Sequence, residues 1–351
     1  MGPHRGIDDQ EAKTILVWQK QREQGQSQKS IPEIENFLKK KPSSRYFQAA
    51  RLELAMSCLE VSNMECAEPL FRSVREVTLG REASLAAKAE WGLSFVAERQ
   101  GDDLTALGHV MSAENLSVGL EPELVRVEIP ARKAILFQKR GRSAEAIESL
   151  RRADRGFKEL LANPQISYNP DWTARLQYQM GNTFSDPTSG ENFERHMAAH
   201  KLSQIYLLRT LASGHVIWAP RAGEALQKKY SDLWGAALAP PPASGLDPLV
   251  AARENRQRQT ERLVDLLEAL EKAQAYAPVR EASANQWQLE FHGWLDELRD
   301  KTRAILHSSS ESMVLTEESK RLNGVRRAGR IQDAISPDSN PKKSMGKDPN
   351  L

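Results

Sequence analysis

The chain has 351 residues, 40% of them hydrophobic, enough to bury a core of one extended array or two ordinary domains. Its 49 basic and 47 acidic residues leave a formal net charge of +2, so no global field recruits nucleic acid or an anionic membrane. No run approaches the roughly 18 consecutive apolar residues of a membrane span, and Met1 to Gln10 lacks the basic start and apolar stretch of a secretory signal. The chain therefore reads as soluble and cytoplasmic, with a periplasmic or secreted location as the alternative if a signal was removed.

Ala, Leu, Glu, Gln, Arg and Lys dominate, and alternating β-branched runs bounded by Asn-Gly or Asp-Gly are scarce, which predicts an all-α fold. A first helix is predicted from near Asp8 to Glu23. A short second one starts after Ser30, with Ser30 as cap and Pro32 in the first turn. These make an N-terminal helical region over 1–42.

Over 43–163 the pattern changes to paired helices joined by short turns. The third pair is the clearest: Ala134 and Phe137 on the first helix, Gly141 at the turn, then Ala146, Leu150 and Ala153 on the second. Small residues let two antiparallel helices approach, while the aromatic and the leucine fill the space beside them. Leu54, Ala55, Ala67 and Phe71 give an earlier pair. In a middle pair Gly101 and Ala106 align, with Trp91, Gly92 and Phe95 before the turn. The alanines Ala67, Ala106 and Ala146 recur at intervals of 39 and 40.

This pattern resembles the tetratricopeptide repeat family in a divergent form, since that family repeats about every 34 residues. The resemblance, carried by 43–163, implies a superhelical α-solenoid of antiparallel helix pairs whose concave groove, lined by the first helix of each pair, takes a peptide or helix of another protein. The groove candidates are Leu52, Met56, Lys88, Trp91, Glu98, Ile135, Gln138 and Lys139. Packing against the neighbouring repeat is the competing role for the apolar members. Leu52 and Met56 stand where some family members place a clamp for chaperone C-terminal carboxylates, which speaks against that ligand.

Over 164–238 helices are predicted at Asp171 to Phe184, Asn192 to Leu211 and Pro220 to Leu238. The proline run in 239–245 reads as a linker. A C-terminal helical hairpin follows over 246–307: Leu246 to Tyr276 carries the stripe Leu263, Leu266, Leu267, Leu270 and Ala273. Ser283 to His307 carries Trp287, Phe291, Trp294 and Leu298. The tail, 308–351, reads as mostly disordered. Its basic residues Lys320, Arg321, Arg326, Arg327 and Arg330 allow a nucleic-acid-associated regulator as a further alternative.

Chemistry finds little support. There is no Gly-x-Ser-x-Gly elbow and no glycine-rich phosphate loop, and the carboxylates sit among cations at helical spacing. His196 and His200, at i and i+4, lack the glutamate that hydrolytic zinc helices place after the first histidine. Cys58 and Cys66 are too few for a cysteine-rich zinc site and read as buried thiols, with a single bridge as the alternative. No catalytic, cofactor-binding or metal residue is assigned. The expectation is a non-enzymatic scaffold or adaptor that binds another protein, with no nucleic acid and no cofactor.

Overall fold

The computed structural model describes residues 10–163, 168–184, 193–240, 245, 247–276 and 286–310. They hold thirteen α-helices, one π turn and no strand. In chain order these are α1 Gln10–Glu23, α2 Ser27–Lys40, α3 Phe47–Glu60, α4 Met64–Thr78, α5 Ala83–Arg99 and α6 Asp103–Asn115. The π turn Leu124–Glu128 leads into α7 Ile129–Lys139, followed by α8 Ser143–Leu161 and α9 Pro170–Gly181. Then come α10 Phe193–Ala212, α11 Trp218–Leu238, α12 Pro248–Tyr276 and α13 Gln286–Ser310.

The helices fall into two compact units, one of residues up to Leu233 together with Lys272–His292, the other of Trp234–Glu271 and the residues from Gly293 onward. In the second unit Arg303 of α13 reaches Glu271 of α12 at 2.7 Å. No described helix is long and apolar enough to cross a membrane.

One turn recurs in the first unit. Gly25, Ser62, Gly101 and Gly141 all take positive φ, between 61° and 81°. At each, the N–H of the next residue reaches back five places to the preceding helix, Gln26 to Gln21, Asn63 to Cys58, Asp102 to Ala97 and Arg142 to Phe137, at 2.8 to 2.9 Å. This satisfies an orphan carbonyl and folds the second helix against the first. Five residues beyond each turn residue stands a small, fully buried one: Ser30, Ala67, Ala106, Ala146. Nine beyond stands a large apolar one: Ile34, Phe71, Val110, Leu150.

The turn at Gly25 corrects the expectation for α2. Its cap position is Gln26, not Ser30, and the helix begins at Ser27. Ser30 instead fills the small-residue position, its hydroxyl donating to the Ser27 carbonyl. In the middle pair, counting back seven from the turn puts Ser94 in line with Ala55 and Ala134. Gly92 has a separate duty, since a Cβ there would lie 2.3 Å from the Phe71 ring. At the C-terminal end α13 continues past His307 to Ser310. The basic tail, the turn between the two C-terminal helices and most of the proline run lie outside the described residues.

Each second helix also packs on the first helix of the following pair, α2 on α3, α4 on α5 and α6 on α7, while α1 touches α3 and α3 touches α5. Apolar clusters run through these contacts, one around Phe71, Leu54 and Ile34, the next around Trp91, Val110 and Leu136, and a third around Leu150, Phe157 and Met180.

Cys58 and Cys66 form a disulfide, with Cα atoms 5.9 Å apart, where reduced thiols were expected. The bridge ties the last turn of α3 to the first turn of α4. The corresponding pairs in the next two hairpins are Ala97 with Thr105 and Phe137 with Glu145. It sits beside Ser62, the one described residue other than glycine at positive φ. A side chain there costs about 1 kcal/mol relative to glycine, so Ser62→Gly is expected to raise unfolding stability by about that much, read from a urea transition followed by circular dichroism.

Candidate functional site

The eight groove candidates all lie on first helices, α3, α5 and α7, in the same unit. Counted from each turn residue, Leu52 and Trp91 share one position with Ile15 and Ala131, ten places back, and all four are nearly buried. Met56 and Ile135 share the position six places back with Phe95, and all three are half-buried. Leu52 and Trp91 thus serve the core, whereas Met56, Phe95 and Ile135 offer apolar surface. Lys88 leans away to pair with Glu121 at 2.5 Å. Gln138 keeps its amide oxygen buried without a hydrogen-bond partner.

Arg132, which is absent from the candidates drawn from the sequence, organises the middle of this surface. Its guanidinium lies 3.5 Å from the Phe95 ring centroid and 5.7 Å from that of Trp91. Nε donates to the Ser94 hydroxyl, and Nη2 donates to the Ser94 carbonyl and to Glu98 Oε2 at 2.8 Å. Ser94 in turn donates to the Trp91 carbonyl. The Arg132 side chain is only 9% exposed, so these partners replace the water of its guanidinium. A serine where α3 and α7 carry Ala55 and Ala134 is the one sequence signal for this network.

Glu98 also accepts from Lys139 at 2.7 Å. Burial alone would raise its carboxyl, but Arg132 and Lys139 together hold it below the usual carboxylate range. Glu53 shows the opposite balance. Burial raises it, and its single cation Arg22, 2.6 Å away, does not reverse the effect.

Lys139 belongs to a second recurring device. The residue two places before each turn reaches back over the turn of the preceding hairpin, to the positions three before and two after that turn's own pivot. Lys139 meets Glu98 and Asp103; Arg99 donates to the Leu59 carbonyl at 2.7 Å and approaches the Met64 sulfur; Glu60 meets Arg22 and accepts from the Ser27 hydroxyl. The geometry repeats while the charge changes sign.

His200 is fully buried, its ring 4.6 Å from that of Tyr230 and both nitrogens without a hydrogen-bond partner. Among the described residues, no three or more His, Cys, Asp or Glu side chains are placed to hold a metal ion. His109 pairs with Glu90, which Arg75 also holds at 2.7 Å, joining α4, α5 and α6.

Burial pushes the His200 imidazole down to about 3, from an ordinary value of 6.5, with Lys229 adding to the effect. The unfolded chain therefore takes up this proton first, and stability falls as the pH drops below about 6.5 toward the folded value. Between pH 7.5 and pH 5 the loss from this one group is about 2 kcal/mol. In His200→Phe, the difference between the unfolding free energies from urea transitions at those two pH values is expected to shrink by that amount; an unchanged difference would show that the ring is not buried neutral.

No known protein-family model matches the chain, and no curated protein matches its sequence.

Proposed function

We propose that the chain is a non-enzymatic scaffold that binds a peptide or helix of another protein along the first helices of a divergent tetratricopeptide-like array. The observation that carries this reading is the fourfold recurrence of one turn, at Gly25, Ser62, Gly101 and Gly141, with a buried serine or alanine five places after each. Contacts of α1 with α3 and of α3 with α5 support a row that closes on the side of the first helices over these three, because no comparable contact joins α2 to α4 or α4 to α6. Half-buried Met56, Phe95 and Ile135 supply apolar anchors, and the ion-paired Lys139 sits beside them.

The test is affinity capture from the native cell with the intact chain and with a Met56→Ala/Ile135→Ala/Lys139→Ala variant. Loss of the captured protein, with the helical circular dichroism retained, is the expected result. Undiminished capture by the folded variant removes the groove from consideration.

The Cys58–Cys66 bridge favours a second reading, an exported cell-envelope assembly protein of the same build, because such bridges persist in oxidising compartments. Two titratable thiols in protein taken from its own cell would exclude it.

A further inference from the structure

The Cys58–Cys66 bridge stands where the fold already holds two side chains together. In each of the four hairpins the carbonyl four places before the turn residue accepts from the N–H one place after it: Gln21 from Gln26, Cys58 from Asn63, Ala97 from Asp102 and Phe137 from Arg142. Four places after the turn residue stand Lys29, Cys66, Thr105 and Glu145. Cys66 is held as Thr105 is, its N–H donating to the side chain that follows the turn, Asn63 Oδ1 at 3.1 Å in one hairpin and Asp102 Oδ1 at 2.9 Å in the other. Arg99 straps the turn at Ser62 from the next hairpin, on the Leu59 carbonyl at 2.7 Å and the Ser62 hydroxyl at 3.3 Å. Three hairpins close in this way without a bridge, so the sulfur bond is not what closes this one.

The two cysteines differ in access. Cys58 is 1% exposed, inside the cluster around Phe71 and Leu54. Cys66 is only partly buried, in the first turn of α4 beside the exposed Glu65. A reagent from solvent therefore meets Cys66 first. We propose that the pair opens and closes reversibly within the folded hairpin, Cys66 being the sulfur that exchanges with a small thiol or disulfide of the glutathione class and Cys58 the one that returns to close the bridge. In the oxidising direction the Cys66 sulfur bonds to one sulfur of oxidised glutathione, whose S–S bond breaks; the departing glutathione takes the electron pair and the proton that Cys66 gives up. Cys58 then attacks the Cys66 sulfur, its proton goes to the second glutathione as that leaves, and the bridge closes. Two thiols lose two electrons in all, and one disulfide gains them. Reduced glutathione runs the same steps backwards. The bridge thus sets how readily the hairpin opens, by limiting the unfolded chain, while the closed shape stays the same. The pair acts independently of the groove.

The full chain, reduced with dithiothreitol and then freed of it, is mixed with oxidised glutathione and followed by acid quench and mass spectrometry. Cys58→Ala and Cys66→Thr run beside it; the next hairpin carries the same residue types at these places, in Ala97 and Thr105. Cys58→Ala is expected to hold one glutathione on Cys66, Cys66→Thr to take it up about tenfold or more slowly, and the intact chain to close its bridge without accumulating the mixed disulfide. Helical circular dichroism should be the same in the reduced and the oxidised chain. Equal uptake by the two variants overturns the proposal, and so does a lasting glutathione adduct on the intact chain or a loss of helix on reduction. If a variant does not fold, the reduced intact chain decides alone: a maleimide should label Cys66 before Cys58, and labelling in the other order or at equal rates refutes the assignment.

Discussion

Replacing Gly156 with alanine is expected to cost about 3 kcal/mol of stability, although alanine is the better helix former. The cause begins at Pro130, which has no N–H to give the Arg126 carbonyl four residues earlier and whose ring crowds it. The chain widens there into the π turn Leu124–Glu128, with the Ile129 N–H reaching the Leu124 carbonyl instead. The displaced Arg126 carbonyl rests against α8 at Gly156, where a Cβ would lie 2.3 Å from its oxygen. A flexible side chain would turn aside; a carbonyl fixed by the following proline cannot. Gly108 is the control, since it lies in α6 where an added Cβ would meet nothing within 4 Å. Gly108→Ala should stabilise by about 0.5–1 kcal/mol. Parallel urea transitions check both signs, and a Gly156→Ala protein as stable as the parent would refute the account of the π turn.

The helices themselves were legible, because composition and 3.6-residue spacing report burial of one face and that is what holds each helix here. Three of the four turns were legible for a related reason: a small residue five places after the turn is imposed by close helix contact, and Ala67, Ala106 and Ala146 show it. The hairpin at Gly25 escaped because its small residue is Ser30, which next to Pro32 looks like a helix start. At Ser62 the pivot is not glycine, so only the later alanine revealed it. The latches across successive turns were invisible for a different reason. Glu60, Arg99 and Lys139 share a place but not a charge, and a charged residue at helical spacing reads as a solvated face. Eight residues between two cysteines permit a bridge without requiring one, since distance depends on how sharply the turn between them closes.

Arg132 carries the second large effect, and it separates two kinds of charge on the same surface. Arg132→Ala removes three hydrogen bonds and the cation lying on Phe95, and it leaves Glu98 with Lys139 as its sole remaining cation. Breaking a largely buried pair from one side costs about 3 kcal/mol, because the stranded partner keeps its desolvation penalty. Lys139→Ala removes the other cation from the same carboxylate, yet its side chain is 43% exposed, and water takes over much of the loss, so about 0.5 kcal/mol is expected. Arg132→Lys should recover little, since an ammonium cannot lie flat on the Phe95 ring while reaching both Ser94 and Glu98. Measuring all three variants by urea unfolding, with hydrogen exchange on α5 and α7, orders them as Arg132→Ala, Arg132→Lys, then Lys139→Ala. Equal losses for Arg132→Ala and Lys139→Ala would mean that Arg132 is a surface charge and that it does not hold α7 to α5 more firmly than Lys139 does. The expected order instead makes the Ser94–Arg132–Glu98 network the joint that fixes α7 against α5, and with it the spacing of Phe95 and Ile135 along the proposed groove.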